Sequence, residues 1–146
     1  RPTGARRRTT PAGPRRAHAG ATALAHETQL VGESDARYKV IVGYAKEPAY
    51  TDERNGLDLF IRTVANEPEP NLASSLTATL IAPDGATTRQ LALRGVHGQP
   101  DRYTADFILT QPGAYQLHLT GFIGALELDL TFTLHDVGTL SELRFP

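Results

Sequence analysis

From Arg37 onward, apolar and polar residues alternate with a period of two in one short segment after another. Tyr38, Val40, Val42 and Tyr44 share one face of a first segment. Leu57, Leu59 and Ile61 share a face of a second, with Asp58 and Arg62 opposite. In a third, Leu76, Ala78 and Leu80 alternate with Thr77, Thr79 and Ile81, and a fourth runs from Thr88 to Leu93. Tyr103, Ala105, Phe107 and Leu109 alternate with Thr104, Asp106 and Ile108. Tyr115, Leu117 and Leu119 alternate with Gln116, His118 and Thr120. The last and cleanest segment sets Leu126, Leu128, Leu130, Phe132 and Leu134 against Glu127, Asp129, Thr131 and Thr133. Successive side chains of a strand point to opposite sides, so each segment predicts a β-strand with one apolar face.

Turn chemistry separates these segments. In Pro83-Asp84-Gly85 the proline presets φ and the glycine accepts positive φ; Gln111-Pro112-Gly113 and Asn55-Gly56 are similar punctuation. No segment carries a helical period. Strands with one apolar face close a core by stacking as two sheets. The pattern therefore predicts an all-β, immunoglobulin-like, seven-stranded Greek-key β-sandwich over residues 37–146, with a small barrel as the alternative. Tyr115, just after Pro112-Gly113, stands where such sandwiches place a tyrosine corner. Tyr44 and Tyr50 flank the long first loop and are read as pinning it.

Residues 1–36 read differently: a basic tail or leader remnant, rich in Arg, Ala, Gly, Thr and Pro, whose larger aliphatics are Leu24, Leu30 and Val31. Ordering a residue costs roughly 1–2 kcal/mol of backbone entropy. Burying an aliphatic side chain returns about 1.5–3 kcal/mol. Three aliphatics do not offset that cost, and disorder is expected to about residue 30. The segment Ala23-Leu24-Ala25 before His26 has the small-x-small form of a signal-peptidase site, with arginines upstream as in a charged leader. The apolar stretch such a leader needs is missing between them.

Charge sharpens the division. Of 15 basic residues, Arg1, Arg6, Arg7, Arg8, Arg15 and Arg16 precede residue 21, where no acid occurs; the remainder holds nine basic and all 16 acidic residues, a net −7. A body of that charge argues against a nucleic-acid-binding domain. The tail has neither interleaved aromatics for stacking on bases nor an apolar face for a membrane surface. Cys and Met are both absent, which excludes disulfides, thiolate catalysis and Cys-ligated zinc, and leaves only His and carboxylate ligands for a metal.

Some residues are familiar. Glu47-Pro48-Ala49-Tyr50 with Asn55-Gly56-Leu57, then Gly98-Gln99-Pro100, Tyr103-Thr104-Ala105-Asp106-Phe107, Thr110 and Pro112-Gly113-Ala114-Tyr115, resemble YtkA-like and related copper-resistance-type extracytoplasmic domains. The likeness spans roughly residues 38–146 and is specific for fold and weak for activity. It implies export to the periplasm, cell surface or medium, an immunoglobulin-like sandwich, and in some relatives a link to copper handling. It also implies that a membrane anchor can follow an ending like Phe145-Pro146.

The resemblance gives His26 a role. Cleavage after Ala25 would make it N-terminal, where its amine and imidazole could chelate Cu(II), with His97 of Val96-His97-Gly98 as the next ligand. Against this, no two histidines have the short spacing of a metal motif. His118 and His135 fall at outward positions, and His18 lies upstream of the cleavage. Glu127 and Asp129 share a strand face about 7 Å apart, the spacing of an inverting glycosidase pair, but strands with a solvated face carry such pairs routinely. Asp52, Glu53 and Asp58 lack the order of a calcium loop. Ser34, Ser74, Ser75 and Ser141 sit in no nucleophile motif. The expectation is a non-enzymatic extracytoplasmic interaction or accessory module with a protein partner, no nucleic acid and no cofactor. A membrane tether outside the chain and dimerisation through a sheet edge are compatible with it. The alternative is a periplasmic Cu(II)-binding protein.

Overall fold

The computed structural model describes residues 26–32 and 37–146. The basic tail expected before residue 26, with His18 and the cleavage motif, lies outside the described residues. Nine strands form among those described: β1 (Glu27–Val31), β2 (Tyr38–Tyr44), β3 (Arg54–Thr63), β4 (Leu76–Ile81), β5 (Thr88–Gln90), β6 (Arg94–Val96), β7 (Gln99–Ile108), β8 (Gln116–Ile123) and β9 (Leu126–Thr133). They make two antiparallel sheets, ordered β1-β2-β3-β7-β6 and β5-β4-β8-β9. The chain crosses between sheets after β3, β5 and β7. This is the Greek-key arrangement of an immunoglobulin-like sandwich, with β1 added at one edge.

The alternation in the sequence is the inside-outside alternation of the sheets. Val40, Val42 and Tyr44 of β2 and Leu57, Leu59 and Ile61 of β3 are fully buried; Tyr103, Ala105 and Phe107 of β7 join them. From the other sheet come Ala78 and Leu80, Leu117 and Leu119, and Leu128 and Phe132. Leu126 and Leu130, expected inside with Leu128, are only half-buried, because β9 is a sheet edge and the strand opposite it is short. Tyr115 makes the expected corner. Its hydroxyl donates 2.6 Å to the Gln111 carbonyl and accepts from the Gln111 N–H, tying β8 to the turn before it.

Two strands depart from the expectation. β1 falls within the segment expected to be tail, and it pairs with β2 over five registers, from Glu27 against Val42 to Val31 against Tyr38. Of its two aliphatics, Val31 is buried in the core and Leu30 faces water. Backbone pairing adds to that anchor, together with the Gln29 side-chain amide, which donates 2.8 Å to the Thr131 carbonyl of the facing sheet. The expected strand Thr88–Leu93 stops at Gln90; Leu91–Leu93 cross to the other sheet, where Arg94–Val96 form β6.

Phe132 is fully buried between the sheets. Phe132→Ala is expected to cost about 3–5 kcal/mol, seen as a lower denaturant midpoint, while Thr131→Ala on the exposed face should barely move it.

Candidate functional site

The residues singled out for metal chemistry are not brought together. His26 leads into β1 at one edge of the five-stranded sheet, and His97 is exposed in the turn between β6 and β7 at the opposite edge. No group of three or more His, Asp or Glu side chains is placed to hold a metal among the described residues. Glu127 and Asp129 are exposed on the outer face of β9, and Asp129 is engaged by His118 at 2.7 Å. Asp52, Glu53 and Asp58 are separated. Asp52 turns the loop with φ 65° and donates its N–H to the Leu109 carbonyl. Glu53 faces Lys46 at 3.7 Å, and Asp58 lies on the outer face of β3.

Asp58 organises a polar cluster of its own. It is nearly buried and accepts from Arg102 Nε at 2.6 Å and pairs with His26 Nε2 at 3.0 Å. The His26 ring can approach because residue 43 is glycine: a Cβ there would stand 2.6 Å from the imidazole. Arg62 and Arg102 lie over the Phe60 ring at 4.9 and 5.3 Å, and Arg62 Nε pairs with Asp101 at 2.7 Å. Every charged group here has a partner. The cluster fastens β1 and the strands beneath it.

The long first loop is held by backbone. Thr51 N–H donates to the Gly138 carbonyl and Gly138 N–H to the Ala49 carbonyl, while Asn55 caps Lys46 from both sides. Tyr44 lies beneath this loop, packed edge-on against Phe107 at 6.2 Å. Its hydroxyl is buried with no hydrogen-bond partner. Burial, reinforced by the nearby Tyr115, Glu47 and Asp136, pushes the phenol well above its usual range.

One opening in the sandwich has no such internal explanation. β6 pairs with β7 only as far as Arg94 against Thr104, so no strand covers Asp106–Ile108 on that side. The facing edge of the other sheet is the three-residue β5. Between them is a slot whose cavity of about 190 Å³ is lined by Leu80, Ala82, Phe107, Leu109 and Tyr115, with Thr88 and Arg89 at the mouth. The slot continues past Arg89 to Arg54 and Asp106. Ile108 stands beside it, 57% exposed. Asp106 is shared by Arg54 and Arg94, each 3.2 Å away; the hydrogen bond from Arg94, and then the charges of both arginines, hold its carboxyl below the ordinary range. Arg89 has no ion-pair partner among the described residues. Sequence reasoning missed this site because it extended β5 to Leu93. The available signal was Phe107-Ile108-Leu109, three apolar residues in a row that break the alternation of β7.

The architecture and the tyrosine corner define an immunoglobulin-like β-sandwich. No family model and no curated protein matches the chain. Among solved structures, a DUF4426 family protein of Pseudomonas aeruginosa superimposes with a TM-score of 0.58 at 12% identity, covering 79% of this chain and 96% of that one. The Lin-41 filamin domain gives 0.40 at 13% identity, covering 66% and 90%. At such identities the first likeness shows the fold alone.

Two outcomes follow. His26→Ala and Gly43→Ala should each speed amide hydrogen exchange of Glu27–Val31 while leaving β3 and β8 protected. Tyr44→Phe removes an unpaired buried hydroxyl and is expected to be neutral or stabilising by up to about 2 kcal/mol at neutral pH. A phenol whose ionisation is raised on folding adds stability that is intact below about pH 10 and lost as pH climbs above it. Tyr44→Phe should therefore flatten, in denaturation curves, the alkaline decline of the parent chain. Tyr103 and Tyr115, raised likewise by burial, leave a residual slope.

Proposed function

We propose that the chain is a non-enzymatic interaction or accessory module that engages a protein partner at the slot between β5 and β7. The observation that carries this reading is the combination found there: an apolar cavity, an uncovered strand edge and excess positive charge, on a body that is otherwise acidic. Loops and edges on a rigid scaffold are where sandwiches commonly bind. Surface features that carry no internal role and keep apolar side chains in water are the usual marks of recognition.

The non-enzymatic part rests on sequence: Ser34, Ser74, Ser75 and Ser141 sit in no nucleophile motif, and the chain carries no Gly-rich phosphate loop. The extracytoplasmic setting, and membership of the YtkA-like or copper-resistance-type group, rest on sequence: the Ala23-Leu24-Ala25 motif and the residues shared with those domains. Several of the shared residues have fold roles here, Asn55 capping the loop, Gly56 lying under the Ala105 carbonyl and Tyr115 making the corner.

A photo-crosslinking amino acid at Ile108, with a control at Thr120 on the outer face of β8, tests the reading in native cells. A discrete protein adduct from position 108 and none from position 120 is the expected result. Adducts from both positions, or from neither, would remove the slot as a binding site.

A further inference from the structure

We infer that the occupant of the slot is an extended acidic peptide segment that adds as a strand to the Asp106–Ile108 edge of β7, reading acidic–apolar–acidic over three residues. This rests on the slot being the binding site, and it specifies the mode and the partner's chemistry. The backbone comes first. Leu109 C=O accepts from Asp52 N–H on the β3 side. Along a strand, the polar groups of successive residues point to alternate edges. The N–H and C=O of Asp106 and Ile108 therefore point to the side that β6 leaves uncovered. Four backbone groups stand ready over about 7 Å of strand, which suits strand addition.

Side-chain direction then fixes the pattern. Residues opposite each other in an antiparallel ladder point to the same face. The guest residue opposite Phe107 points inward, as Phe107 does, into the cavity formed with Leu80, Leu109 and Tyr115. A dry cavity of ~150 Å³ already accepts a benzene-sized group, so about 190 Å³ takes one aliphatic or aromatic side chain. The guest residues opposite Asp106 and Ile108 point outward. There Arg54 and Arg94 share a single carboxylate, so that patch keeps a net positive charge. Arg89, with no ion-pair partner among the described residues, stands at the mouth and adds to it. Guest carboxylates at the outward positions meet guanidinium groups, which bind carboxylates with charge-assisted hydrogen bonds. A basic guest would face the same arginines unfavourably. A second copy of this chain would bring its own arginines to the contact.

The test uses the full chain and fluorescein-labelled eight-residue peptides centred on Glu-Leu-Glu. Matched peptides carry Lys-Leu-Lys, Glu-Gly-Glu, or N-methylated amides at the two glutamates. Fluorescence anisotropy should show saturable binding of the first. Each change, and Arg89→Glu in the protein, should weaken it at least tenfold. Arg89→Glu is at an exposed position, and unchanged thermal melting would confirm that it folds. Binding indifferent to N-methylation overturns strand addition, and equal binding of the lysine peptide overturns the acidic partner. No binding by any peptide, or a concentration-dependent dimer in light scattering that is lost on Arg89→Glu, also overturns the inference. If Ile108 still yields a single adduct in cells, the slot survives as a binding site and only the mode falls.

Discussion

The ladder between β3 and β7 is the constraint on which the rest of the molecule depends. Two ten-residue strands pair from Arg54 against Ile108 to Phe60 against Arg102. Inward, the ladder supplies Leu57, Leu59, Tyr103, Ala105 and Phe107 to the core. Outward, it presents Asp58, Phe60, Arg62 and Arg102, which gather His26 and hence β1. Because β6 is only three residues long, the same ladder runs past its neighbour and leaves β7 open near its C-terminal end. Core, edge clasp and slot are three faces of one pair of strands.

The arginines at this side of the molecule fall into two groups. Arg62 and Arg102 are drawn down onto Phe60 and tied to Asp101 and Asp58. Their charge is spent internally, and their stems cover an aromatic ring that would otherwise face water. Arg54 and Arg94 compete for one carboxylate, and Arg89 has none among the described residues. The same residue type serves as mortar in one place and as an unfilled valence about 10 Å or more away along the sheet, by strand spacing.

The sequence was legible wherever one side of a strand is buried. β2 and β4 were delimited to the residue, and the inward sets of β3, β7 and β8 follow the alternation. So did Tyr115, whose corner depends on a local turn that sequence can show. What alternation cannot show is a strand without a buried face. β1 sets Glu27 and Gln29 on its inward face with only Val31 buried there, and β6 is Arg-Gly-Val; neither shows an apolar alternation, and both lean on pairing with a longer neighbour. The slot was illegible for a related reason. It comes from the mismatch in length between neighbouring strands, which is a property of the assembled sheets and not of any one segment. The histidines illustrate the converse. His26 and His97 are both real features of the surface, but their separation across the sheet is set by strand order, which no spacing in the chain reveals.

The clasp at His26 bears on how the molecule avoids its own kind. Tyr38-Lys39-Val40-Ile41-Val42-Gly43-Tyr44 is rich in β-branched and aromatic residues and carries one charge. Such heptads template cross-chain stacking when their amides are left open. β1, Glu-Thr-Gln-Leu-Val, lies along that margin and satisfies it while lending only Val31 to the core. A short strand that opens on polar residues is a small contributor to the interior and a guard for the strand behind it. The glycine at position 43 and the histidine at position 26 thus help hold a cover over the amides of that strand.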